Sequence, residues 1–149
     1  MTEPLAPDQI KQIAMAFDQA IESLDLESAL SYFADDCRIE LLGIVLSGQD
    51  GARKWLQWLF GNLAQIKFEP VTIMVQDGVF FEEFVIQARL DDGRQVRSKQ
   101  SEVLVYEKDK IKSLRLYFDR LDFADLVARG FVSRTIVRRL IKASLKGLA

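Results

Sequence analysis

Apolar residues recur at helical spacing near the start of the chain. Ile10, Ile13, Ala14, Phe17, Ala20, Ile21 and Leu24 fall on one side of a helix from Pro7 to Leu24, with Asp8 placed to cap it. "DLESALSYFADD" continues as a second, shorter helix, capped by Asp25 and apolar at Leu26, Ala29, Leu30 and Phe33. "CRIELLGIVLSG" reads as two short strands broken at Gly43. A third helix opens at Asp50 and carries Trp55, Leu56, Leu59, Phe60 and Leu63 on one stripe. After Ile66 the period becomes that of strands. Val71, Ile73 and Val75 alternate up to an Asp77-Gly78 turn, and three further runs follow: "VFFEEFVIQARL", "RQVRSKQSEVLVYE" and "KIKSLRLYFDR". Helices followed by a strand meander predict an α+β domain, with helices on one face of a curved antiparallel sheet.

Hairpin arithmetic assigns side chains of the last three strands to faces. With Asp92-Gly93 as a two-residue turn, Glu83 pairs with Glu102; with Lys108-Asp109 as the next, Glu102 pairs with Arg115 and Gln100 with Tyr117. One face then collects Glu83, Val85, Ser98, Gln100, Glu102, Arg115, Tyr117 and Asp119, while the opposite face is apolar. Either the mixed face meets solvent over an apolar core, or it lines an enclosed pocket.

Composition narrows the chemistry. The 149 residues make one domain's worth of chain, and no apolar run approaches the length of a membrane span. Cys37 is alone and the N-terminus lacks a signal-peptide pattern, so a cytoplasmic protein is the expectation. Cys37 lacks an activating histidine, because the chain has none; this also removes His-based triads and His-containing zinc sites. Phosphate-binding glycine motifs are missing too. No metal and no cofactor is expected, and acid–base work falls to carboxylates, Tyr, Lys or Arg-bound water.

The order of elements, with "DLESALSYFADDCRIEL", "DGRQVRSKQSEVLVYEKDKIKSL" and the terminal Arg115-x-Tyr117-x-Asp119, resembles the nuclear transport factor two-like superfamily. That superfamily includes SnoaL-like polyketide cyclases, ketosteroid isomerases and limonene epoxide hydrolases. The resemblance covers about residues 8–123. It implies a cone-shaped curved sheet wrapped around the N-terminal helices, a small-molecule pocket and a homodimer through the sheet. It also implies that the mixed face looks inward and that Asp119 acts as the pocket acid or base, assisted by Tyr117 and Arg115. Glu83, Gln100, Glu102, Trp55, Arg38 and Glu40 are the expected ligand-binding residues. The epoxide hydrolase pattern is broken: Glu83 and Val85 stand where an Arg and an Asp belong, and Arg38 and Glu40 where a Tyr and an Asn belong. The function implied is a small-molecule-binding protein, as a cofactor-free isomerase, cyclase or hydrolase; the alternative is a non-catalytic binding or assembly domain.

Charge is unevenly spread. Residues 1–128 hold all 22 acidic residues and 14 Lys and Arg; residues 129–149 hold 6 basic residues and no acid. The expected division is therefore a pocket domain over residues 1–128 and a basic amphipathic C-terminal helix over 129–149, capped at Ser133. The helix has Ile136, Val137, Leu140, Ile141 and Leu145 on one stripe. It can dock on the domain or a partner subunit, or lie on a membrane surface. Nucleic acid is not an expected partner.

Overall fold

The computed structural model describes residues 3–128 and 130–148. The chain forms two compact units, Met1–Phe118 and Asp119–Ala149. The first ends ten residues before the expected boundary.

In the first unit, helix α1 (Pro7–Glu22) begins at Ala6, whose backbone N–H donates to Gln9 Oε1 at 3.0 Å. Pro7 supplies the pre-set backbone angle of a first helical turn, so Gln9 and not Asp8 closes this end. Asp25 does cap α2 (Leu26–Leu30): its Oδ1 accepts the Ser28 N–H at 3.0 Å. The second helix is shorter than expected, because strand β1 (Phe33–Leu41) already starts at Phe33. The Phe33 ring packs edge-on against Phe17 at 5.4 Å and Trp55 at 6.2 Å, so its burial is met from the strand. Leu42 and Gly43, both at positive φ, turn the chain into β2 (Ile44–Ser47). Helix α3 (Gly48–Gly61) follows at once, two residues ahead of Asp50. Gly51 lets α3 sit on β2: a Cβ there would meet the Leu46 carbonyl carbon at 2.9 Å.

Strands β3 (Gln65–Gln76), β4 (Val79–Arg89), β5 (Gln95–Glu107) and β6 (Lys110–Phe118) complete a six-stranded sheet ordered β2-β1-β6-β5-β4-β3. The α+β class with a curved sheet and helices holds. The sheet is mixed rather than antiparallel throughout, because β1 lies parallel to β6. Single-residue irregularities set the register of strands β3 to β6. Val71 is the extra residue of a bulge beside Pro70, and points to solvent instead of continuing the alternation of Ile73 and Val75.

The β4–β5 connection is Asp91-Asp92-Gly93, closed by Leu90 N–H on Arg94 O at 2.9 Å and Gly93 N–H on Leu90 O at 3.0 Å. This three-residue loop, with Gly93 at φ 85°, replaces the expected two-residue turn. Arg89 therefore faces Gln95 rather than Val96, and Glu102 faces Glu82 rather than Glu83. Between β5 and β6, Tyr106 pairs with Ile111 but Val105 with Ser113, leaving Lys112 as a bulge. Glu102 then faces Leu116, and Gln100 faces Phe118. A slip of one residue moves a strand's whole side-chain set to the other face. β5 keeps its expected inward row, while β4 and β6 turn their apolar rows inward.

The core of this unit gathers α1, α3 and the inner sheet face: Ile10, Phe17, Ile39, Leu56, Phe80, Phe84, Leu104, Ile111 and Leu114 are fully enclosed. Cys37 is buried, its thiol on Gly48 O. In the second unit, Asp119 caps a 3-10 turn (Arg120–Phe123), α4 (Ala124–Val127) follows, and α5 (Phe131–Ser144) starts after Gly130, ahead of Ser133. Among the described residues no helix is long and apolar enough to cross a membrane.

Phe17 is 0% exposed and its ring meets both Tyr32 and Phe33. Phe17→Ala is expected to lower unfolding free energy by about 3–5 kcal/mol, whereas Val71→Ala should shift it by less than about 0.5 kcal/mol. Guanidinium denaturation of both variants checks this, and equal losses would contradict the placement of the core.

Candidate functional site

The residues expected to form the site divide between two surfaces. Arg115 and Tyr117 lie on the outer sheet face, Arg115 opposite Val103 and Tyr117 55% exposed. Asp119 is exposed, and its Oδ1 accepts the Leu121 N–H at 2.9 Å. These three are not brought into the interior. Glu83 is exposed and accepts a hydrogen bond from Thr72. Arg38 and Glu40 form an ion pair with each other at 2.7 Å on the outer side of β1. The physical reason is the register: turning β4 and β6 by one residue carries Glu83, Arg115 and Tyr117 outward. Gln100, Glu102 and Trp55 are buried in the core.

A different carboxyl cluster occupies the interior. Asp18 projects from α1, Glu82 from β4 and Glu102 from β5, at 5%, 0% and 6% exposure. Each contributes a carboxyl oxygen to a group whose atoms lie within 4.8 Å of one another. α1 delivers Asp18 because position 18 falls four residues after Ala14 and three before Ile21, on the buried side. The loop at Asp91-Asp92-Gly93 delivers Glu82 directly opposite Glu102. Tyr106 and Gln100 share the inward row of β5 with Glu102. Gln100 Nε2 donates to Ser98 Oγ at 3.3 Å, but Gln100 Oε1, Tyr106 Oη and Trp55 Nε1 have no protein partner.

Burial of ionised carboxyls is expensive, and protonation relieves it. Burial, then the charges of Glu102 and Glu82, a hydrogen bond to Glu82 and the charge of Glu22, push the Asp18 carboxyl up to about 10. Burial raises Glu82 to about 7, against a lowering by the hydrogen bond from Asp18. Burial and then the charge of Glu82 raise Glu102 to about 8. The Tyr106 hydroxyl is pushed above its usual range by burial, then by Glu102 and Asp18. Written as fully ionised, Asp18 Oδ2 and both Glu82 oxygens have no donor. A bond between the two side chains therefore requires a proton, which Asp18 holds and Glu82 accepts. At neutral pH Asp18 is a carboxylic acid beside Glu82, which is near the midpoint of its ionisation, with Glu102 mostly protonated.

Among the described residues this is also the group that could hold a metal ion. Its all-oxygen donors suit a hard divalent cation, which would have to displace the protons that the cluster retains.

Two of these acids leave a trace in the sequence. Asp18 interrupts the apolar side of the first helix, and "FFEEF" sets two acids in a strand where alternation sends one of them inside. Which of Glu82 and Glu83 goes in depends on a loop length that the Asp-Asp-Gly run leaves open.

An α+β unit whose curved sheet and first helix close over buried acids defines the class of fold. Residues 14–114 match the SnoaL-like domain family, and the chain belongs to it. No curated protein matches the sequence. Among solved structures, a protein of unknown function from Burkholderia pseudomallei K96243, described as NTF2-like, is 17% identical with a TM-score of 0.72, over 81% of this chain and 98% of that one. A limonene-epoxide-hydrolase-like (LEH-like) enzyme of M. tuberculosis is 18% identical with a TM-score of 0.69, over 87% and 97%. SalBIII, an epoxide hydrolase/cyclase-like enzyme of pyran ring formation in salinomycin, is 15% identical with a TM-score of 0.69, over 77% and 94%. At these identities the likeness establishes the shared fold.

The three acids hold their protons more tightly in the folded chain than in the unfolded one. Their stabilising contribution is complete below about pH 4. It falls as pH rises through about 7, 8 and 10, the values at Glu82, Glu102 and Asp18. Asp18→Asn removes the group shifted furthest. Thermal unfolding between pH 5 and 9 should show this variant gaining on the wild type toward alkaline pH, by on the order of 5 kcal/mol. A constant difference across that range would contradict the protonated Asp18.

Proposed function

We propose that the Met1–Phe118 unit is a small-molecule enzyme that works by proton transfer between its interior carboxyls and a part-apolar substrate bearing a carbonyl or epoxide oxygen. One observation carries the reading: a neutral acid and a carboxylate with a value of about 7 share an apolar interior. In this reading Glu82 is the base, taking a proton from a carbon beside a carbonyl or from attacking water. Glu102, kept neutral by burial, donates a hydrogen bond to the oxygen that gains charge, while the Asp18 O–H hydrogen-bonds to Glu82 and tempers its basicity. Gln100 Oε1 and Tyr106 Oη, buried without protein partners, are available to orient polar groups of the substrate. Phe17, Phe80 and Phe84 supply an apolar wall. Relatives of the same fold that are described as an epoxide hydrolase/cyclase-like enzyme and an LEH-like epoxide hydrolase support this reaction class.

Dense aromatic filling of the core, with Phe33 held between Phe17 and Trp55, favours a second reading: ligand binding without turnover. The two separate on one assay. Part-apolar ketones are followed for solvent deuterium uptake beside the carbonyl, and part-apolar epoxides for diol or cyclic ether formation. Under the enzymatic reading the wild type accelerates one of these conversions, and Glu82→Gln reduces the rate about 100-fold or more. Asp119→Asn retains it within about twofold, since that carboxylate is an exposed cap whose substitution is felt outside the site. Loss of turnover in Asp119→Asn with retention in Glu82→Gln would reverse the assignment.

A further inference from the structure

The second unit carries chemistry that the carboxyl site does not use. α5 bears Arg134, Arg138, Arg139 and Lys142, with Lys146 just beyond its end, and no acidic residue occurs from position 129 onward. At about 100° per residue, these five cations occupy one arc of the helix. Val132, Ile136, Val137, Leu140 and Ile141 occupy the other, spanning roughly half the circumference. No residue of α5 is buried. Val132 is 69% exposed, Ile136 53% and Leu140 61%, and Phe131 and Leu148 at either end are more exposed still. Val137 and Ile141 are half-buried, so the open part of the arc is the stripe Val132, Ile136 and Leu140; single exposed apolar residues need no explanation, but such a stripe does.

We infer that α5 docks in the plane of an anionic lipid surface. An anionic bilayer meets both halves at once: the apolar arc enters the acyl boundary, while the Arg and Lys stems run along it and place their charges among the headgroups. Other occupants meet one half only. A polyanion such as nucleic acid neutralises the cations and leaves Ile136 and Leu140 in water. A second α5 covers the apolar arc but leaves the cations of both copies without counter-charges. The helix is too short to span a bilayer, so the geometry is that of a surface helix.

The test is co-sedimentation of the full chain with vesicles of pure phosphatidylcholine and of phosphatidylcholine with about one third phosphatidylglycerol, at low and at physiological salt. Binding should be confined to the anionic vesicles and weaken as salt rises. Ile136→Asp with Leu140→Asp should reduce binding about 10-fold or more, and Arg138→Gln with Arg139→Gln by about 25-fold, from roughly fivefold per lost cation. Circular dichroism of each variant establishes that the fold is retained, and Lys67→Gln, outside this unit, should bind as the wild type does. Three outcomes each overturn the proposal. These are no binding to anionic vesicles at low salt, equal binding to both lipid compositions, and loss in the arginine variant with full retention in the aspartate variant. The last would mark α5 as a polyanion-binding helix.

Discussion

Three carboxyl groups share an apolar interior, and no described cation is paired with them. That constraint governs the unit built from residues 1 to 118. Ionised together at this spacing they would repel one another strongly while losing the hydration each has in water. Retention of protons is the resolution available to the chain. It leaves Asp18 as a donor and Glu82 as its acceptor, with Glu102 facing Glu82 across the β4–β5 ladder. The arrangement burdens folding at neutral and alkaline pH. A fold maintained only for stability gains nothing from it, since apolar residues of similar volume would fill the same space. Acids raised to near-neutral values are what proton-transfer chemistry requires, and under the proposed function strain and activity have the same source.

The backbone devices that create the cluster are small. A three-residue loop in place of a two-residue one brings Glu82 rather than Glu83 inward, and a bulge at Lys112 sends Leu114 and Leu116 inward rather than Arg115. With those two adjustments, β5 keeps a polar row, Ser98, Gln100 and Glu102, beside an apolar row of β6 and a row of β4 that is apolar except at Glu82. Glu82 meets Glu102 across the ladder, and Asp18 of α1 is the third acid of the group.

Much of the architecture was legible because periodicity and turn chemistry agreed. The first helix, the Leu42-Gly43 and Asp77-Gly78 turns and the four long strands all lie where pattern places them. Boundaries moved where tertiary packing prevailed over local preference: Phe33 leaves a helical pattern to enter β1, and α3 starts before Asp50 because Gly51 must meet Leu46. The parallel β1–β6 pair joins segments separated by about half the chain and leaves no local signal. Of the expected ligand-binding residues, Gln100, Glu102 and Trp55 reach the interior, since none depends on the misread turn. Glu83 depends on that turn, Arg115 and Tyr117 on the Lys112 bulge, and all three lie outside. Asp119 was assigned by resemblance at the end of the last strand, and there the chain uses it to cap a turn.

Carboxyl carbon NMR of the 13C-labelled protein from pH 4 to 10 measures the central claim directly. It follows each acid's ionisation, with Asp18→Asn, Glu82→Gln and Glu102→Gln to assign the three interior signals. The account predicts that the interior acids titrate well above the surface ones, and that Asp18 remains protonated past pH 8. Complete ionisation of all three below about pH 5, in step with ordinary carboxylates, would contradict it.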